Sequence, residues 1–147
     1  MLNRPVCIDA SVVLKLVVVE DDSAQAHALW QRLAVAGSEP VAPALLLFEC
    51  VSALRKLVAR EALRASAARV AVDRLLALPI SFPAPDGLVD RTWQLAARFR
   101  QPQAYDSFYL AVADLLRIPF WAADRRLFNA VHDELRWVHL LDEQDRS

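Results

Sequence analysis

Lysine is almost absent from this chain: of 17 basic residues only Lys15 and Lys56 are lysines, and the formal net charge is −1. Recruitment of a polyanion by overall positive charge is thereby excluded, so a nucleic-acid partner would have to be held by a local patch. Cysteine is as scarce. Cys7 falls in a predicted core strand and Cys50 in an apolar helix, without metal-ligand spacing, and the chain contains neither CxxC nor HExxH. A structural zinc and a disulfide framework are both excluded on that count, and two reduced thiols in the cytoplasm are expected. No apolar run approaches the ~20 residues that span a bilayer; the most tempting one, residues 12–19, is interrupted by Lys15. The opening MLNRPVCIDA lacks the apolar stretch and small-residue cleavage site of a signal peptide. A cytoplasmic protein without membrane contact is the expectation.

What the chain does have is apolar surface. A hydrophobic content of 56% in 147 residues suffices for one sizeable core, and no repeat, low-complexity segment or linker divides it. One domain over residues 1–141 and a short tail at 142–147 are expected. Residues 6–8, 41–42, 80–82, 120–123 and 137–141 read as short apolar strands. Between them lie a helix that follows Asp9 and helices at 24–36 (ended by Gly37), 44–60, 62–77, 88–100, 107–116 and 125–132. Short apolar strands separated by helices describe an α/β protein, a three-layer α/β/α sandwich with a mostly parallel central sheet.

Four acids stand out against this frame. Asp9 and Asp124 each follow a predicted strand directly and can cap the next helix; in open parallel sheets that carboxyl edge is where ligands bind. Asp106 opens the apolar helix 107–116. Glu49 lies on helix 44–60, on the side it shares with Leu45, Ser52, Ala53 and Lys56; alone it reads as a surface glutamate. Taken together, half-buried carboxylates without matching lysines repel one another and shift upward in pKa unless a cation neutralises them. Oxygen ligands of this kind suit Mg²⁺ or Mn²⁺ and not zinc. Asp114 lies about 80° around the helix from Asp106 and is left out. His27, His132 and His139 show no spacing for a metal or a relay, and Trp30, Trp93, Trp121 and Trp137 read as packing residues.

With IDASVVLKL, the FECVSAL helix, AYDSFYLAVAD and FWAADRRLF in that order, the chain resembles the PIN-domain ribonucleases, most closely the VapC-type toxins of bacterial toxin-antitoxin pairs. The resemblance covers about residues 6–141. It implies a Mg²⁺- or Mn²⁺-dependent endonuclease acting on single-stranded RNA, a small antitoxin as inhibitor and a homodimer as the usual assembly. It also implies that Asp9, Glu49, Asp106 and Asp124 are the four acids of the metal site, with Ser11 matching the small hydroxyl residue beside the first. Two positions depart: Ser52 stands where the family often has asparagine, and Ala122 where it often has threonine. Lys15, Arg125 and Arg126 are candidate contacts to the RNA backbone.

Rival readings differ on particular residues. A haloacid-dehalogenase-like phosphotransferase requires a second aspartate two residues after the first, where this chain has Ser11. A receiver domain needs a late strand-end lysine, and no lysine follows Lys56. A housekeeping RNA-processing nuclease and a catalytically weak binding module on the same fold stay open. A small antitoxin gene directly upstream would distinguish the toxin.

Overall fold

The computed structural model describes residues 4–141. Its elements run β1 (Val6–Ile8), α1 (Ala10–Val17), α2 (Ser23–Ala36), β2 (Pro40–Val41), α3 (Leu45–Ala59), α4 (Ala65–Ala77), α5 (Leu88–Arg98), α6 (Tyr105–Leu116), β3 (Phe120–Ala122), α7 (Arg125–Val131) and β4 (Val138–Leu140). The strands form one parallel sheet in the order β2-β1-β3-β4. With α1 gathering α2, α3 and α4 about it, and α6 packing on β1, β3 and α5, the expected α/β/α architecture is what the chain adopts.

The central strands are short and wholly apolar because both faces are covered: every residue of β1 is buried. Phe120 of β3 is fully buried and its ring meets Tyr109 of α6 at 6.1 Å between centroids. Helix ends follow backbone chemistry. Gly37 closes α2 in the left-handed region at φ 69°, and the Ser38 N–H then reaches the Leu33 carbonyl at 2.9 Å. Arg117 closes α6 the same way at φ 56°, two residues before Pro119.

Three expectations require correction. Residues 80–82 do not form a strand: only Ser81 pairs, as an isolated parallel bridge to Val41. Pro79 and Pro83 on either side carry no N–H, so pairing stops after one residue. The helix expected from residue 62 begins at Ala65, because Glu61 adopts φ 60° and the N–H groups of Ala62 and Leu63 turn back to the Leu57 carbonyl. Trp93 does not pack: it is 76% exposed, since α5 buries Thr92, Leu95 and Ala96 on its other side. The expected tail at 142–147 lies outside the described residues.

Order in the sheet has one consequence for chemistry. The strand next in sequence to β1, β2, pairs on one side of it, while β3 and β4 continue on the other, so the chain changes direction between β1 and β3. A crevice opens at the carboxyl ends of two strands that diverge in this way. Phe120→Ala, which empties the fully buried position beneath that crevice, is expected to lower unfolding free energy by about 3–5 kcal/mol. Urea denaturation followed by circular dichroism measures this; a loss under ~1 kcal/mol would mean that β3 does not anchor the core.

Candidate active site

Asp9 ends β1 and opens α1. Its backbone N–H donates to the Trp121 carbonyl of β3 at 2.9 Å, while its carboxylate accepts from the Ser11 N–H at 3.1 Å and the Ser11 hydroxyl at 2.5 Å. Asp124 repeats the arrangement after β3, accepting from the Leu127 N–H at 3.2 Å as the cap of α7. Each cap satisfies a helix N–H that would otherwise lack a partner. The Ser11 hydroxyl also accepts from the Ala123 N–H at 2.9 Å, which ties the two strand ends together. Asp106 sits in the first turn of α6, where the helix dipole favours a carboxylate. Glu49 comes from the middle of α3, and the buried Tyr109 donates its phenol O–H to Oε1 at 2.5 Å.

All four acids line one open cavity of about 570 Å³, together with Ser11, Ser52, Lys56, Gln103, Phe48 and Tyr105. They are drawn from four separate parts of the chain. Burial, reinforced by Asp106 and Glu49 and opposed by the Ser11 hydrogen bonds, pushes the Asp9 carboxyl up to about 7. Asp106 is raised by burial, Asp124 and Glu49, and pulled back by the Arg126 guanidinium. Burial first, then Asp9 and Glu49, pushes the Cys50 thiol up to about 12, so in the metal-free protein it stays protonated at neutral pH.

Mutually repelling carboxylates around an open cavity fit a hard divalent cation. The acids do not close into a cage: among the described residues no three His, Cys, Asp or Glu side chains form a ready ligand cluster. Mg²⁺ is bound in that open manner, by one or two carboxylates with waters and substrate phosphate completing the shell, whereas a structural zinc site would be closed by four protein ligands.

The other candidates fall in different places. Lys15 is outside the cavity lining, its ammonium paired with Glu20 at 3.0 Å and Asp22 at 3.8 Å. Arg125 and Arg126 are exposed at the start of α7. Ser52 lines the cavity, while Ala122 is fully buried and does not. Asp114, left out of the site, accepts from Arg91 Nε of α5 at 2.6 Å and so links α5 to α6. His132 stacks on Phe128 and His139 on Trp121, with ring centroids 4.3 and 4.9 Å apart. Tyr109, Gln103, Phe48 and Tyr105 were not singled out by sequence reasoning. Tyr109 stands three residues after Asp106, a helical spacing that shows a shared side but not a hydrogen bond to another helix.

The chain belongs to the PIN-domain family, whose model matches residues 6–133. Its relatives include the VapC ribonuclease Mb0985 of Mycobacterium bovis and ribonuclease VapC9 of Mycobacterium tuberculosis. Each is 31% identical over 122 residues, covering 83% of this chain and 87% of the relative. Among solved structures, VapC20 of Mycobacterium tuberculosis, described as a sarcin-ricin loop cleaving toxin, superposes with a TM-score of 0.63 over 86% of this chain and 95% of that one. At 19% identity this likeness is one of fold.

Because the folded state holds the Asp9 proton more tightly than the unfolded chain, metal-free protein loses stability as pH rises from about 4, the ordinary aspartate value, through about 7. Asp9→Asn keeps an oxygen to cap α1 and removes the charge. In chelator at pH 8 it is expected to raise unfolding free energy by on the order of 2 kcal/mol, with the gain vanishing near pH 4. Mn²⁺ at pH 8 should stabilise the wild type more than Asp9→Asn. Denaturation midpoints at the two pH values check this; an equal gain at both would show that charge on Asp9 is not what strains the site.

Proposed function

We propose that this protein is a VapC-type toxin: a Mg²⁺- or Mn²⁺-dependent endoribonuclease that hydrolyses phosphodiester bonds in single-stranded or loop RNA. The observation that carries this reading is the convergence of Asp9, Glu49, Asp106 and Asp124 on one cavity at the carboxyl end of the parallel sheet. The family membership supports the same chemistry: relatives at 31% identity are ribonucleases by name.

In this reading Asp9 and Asp106 would hold the cation directly, and Glu49 and Asp124 would complete its surroundings directly or through water. The cation, when bound, lowers the pKa of a water and stabilises charge on the phosphate oxygens. Hydrolysis would add water across one P–O bond, leaving a phosphate monoester on one fragment and a hydroxyl on the other. The protein's own part is positional. Ser11 holds Asp9 from two donors, Tyr109 holds Glu49, and the α6 dipole favours a charged Asp106. In the same reading Arg125 and Arg126 would contact the RNA backbone; Arg126 is close enough to lower the Asp106 pKa, and Lys56 on the cavity wall is a further cation. A small antitoxin that covers the site, a homodimeric assembly and a cytoplasmic location complete the proposal. Among the described residues no helix is long and apolar enough to cross a membrane.

Purified antitoxin-free protein is expected to cut mixed single-stranded RNA with Mg²⁺ or Mn²⁺, to stop when a chelator is added, and to lose at least ~100-fold in rate on Asp106→Asn. Cleavage that persists in chelator, or a folded wild type that leaves all RNAs intact with Mn²⁺, would sink the reading.

A further inference from the structure

Beside the acid cavity runs a second, smaller one of about 290 Å³, lined by Pro43, Leu45, Phe48, Phe82, Tyr105 and Phe108 among others. We propose that it is a nucleobase subsite, in which one unpaired base stacks while the neighbouring phosphate lies at the acids. The inference rests on the endoribonuclease reading and adds to it the group that recognises the strand.

Two features of the chain direct this assignment. First, the cavities adjoin: Leu45, Phe48 and Tyr105 line both. Phe48 immediately precedes Glu49 and Tyr105 immediately precedes Asp106, so each helix-borne acid has an aromatic residue as its neighbour in the chain. Second, these rings are presented to solvent. Among the described residues the exposed aromatic side chains are Phe48 (71%), Phe82 (39%), Trp93 and Tyr105 (52%), and three of those four line this groove. Exposed apolar surface gathered in one concave place marks a binding site.

Size and chemistry select the occupant. No charged side chain lines the groove, and the Tyr105 hydroxyl is the polar side-chain group along it. A phosphate or a charged peptide gains nothing there, whereas every base has a π-face that stacks on aromatic rings. The volume suits one planar ring system. The walls are also held in place. Ser81 exchanges backbone hydrogen bonds with the sheet edge, its N–H donating to Pro40 and its carbonyl accepting from Ala42, both at 3.0 Å. Pro43 and Pro83 fix the φ of the residues that follow those contacts. A preformed stacking surface loses little entropy on binding. It also supplies neutral affinity next to carboxylates that repel phosphate.

The test uses full-length protein and a single-stranded RNA decamer carrying one 2-aminopurine, with Ca²⁺ replacing Mg²⁺ during the binding measurement. Wild type is expected to bind the decamer and quench the 2-aminopurine. Phe48→Ala and Tyr105→Ala should each weaken binding ~5- to 150-fold, the ~1–3 kcal/mol contributed by stacking one base. Their salt dependence should stay unchanged, since no phosphate contact is removed. Phe48→Trp should bind within ~3-fold of wild type, and a decamer with an abasic site at the quenched position should bind wild type and Phe48→Ala alike. Equal binding of the intact decamer by wild type and Phe48→Ala would overturn the proposal. So would a lower sedimentation mass of Phe48→Ala without RNA, which would make the groove a contact between copies. Cleavage with Mg²⁺ is scored separately. A wild type that binds and quenches without cutting would leave the subsite standing and remove the nuclease reading, while one that cuts but never quenches would do the reverse.

Discussion

The parallel pairing of β1 with β3 is the contact on which the rest of this molecule depends. Cys7 and Ile8 lie beside Phe120 and Trp121, and the pairing extends one residue further, to the bond from the Asp9 N–H to the Trp121 carbonyl. More than a hundred residues of chain separate the two strands, so closing that loop carries an entropic cost that burial must offset. Wholly apolar strands covered on both faces supply that offset. Once the strands are paired, the two carboxylates that follow them stand at the same edge of the sheet and line one cavity.

From that pairing the acids form a coherent but electrostatically strained group. Burial and like charge together raise Asp9 and Asp106, and the fold answers with local donors, not with lysines. Ser11 contributes a hydroxyl and an N–H to Asp9, Leu127 an N–H to Asp124, and Tyr109 its phenol to Glu49. These bonds orient the carboxylates without neutralising them. A cluster oriented in this way remains available to an added cation, whereas pairing with lysine or arginine would have consumed it. Arg91 does just that to Asp114, farther along α6, and that aspartate serves as a structural link.

The aromatic groove extends the same logic to the substrate strand. Carboxylates without a cation repel phosphate, and the net charge of −1 offers the strand no general attraction, so affinity away from the metal site has to come from elsewhere. Neutral rings next to each helix-borne acid provide contact that neither salt nor the acids themselves oppose.

Much of this was legible in the chain alone. Strand-then-acid at residues 6–9 and 120–124 marked Asp9 and Asp124, the helix opening marked Asp106, and alternation of short apolar strands with helices gave the α/β/α class. These features are local: a strand needs consecutive apolar residues, a cap needs an oxygen next to the first turn, and both are written in adjacent positions. Family resemblance was needed to lift Glu49 out of the ordinary surface glutamates, because its side of α3 acquires meaning only when Tyr109 and the other acids face it. The single bridge at Ser81, the turn at Glu61 and the exposure of Trp93 escaped for the related reason that proline-flanked pairing, a left-handed residue and the choice of buried helix face are decided by neighbours distant in sequence. The sequence by itself determined which elements form and where their acids stand along the chain. Which side chains face one another across the cavity, and that an aromatic groove adjoins it, was decided by tertiary packing, since those contacts join residues whose spacing in sequence carries no period to read.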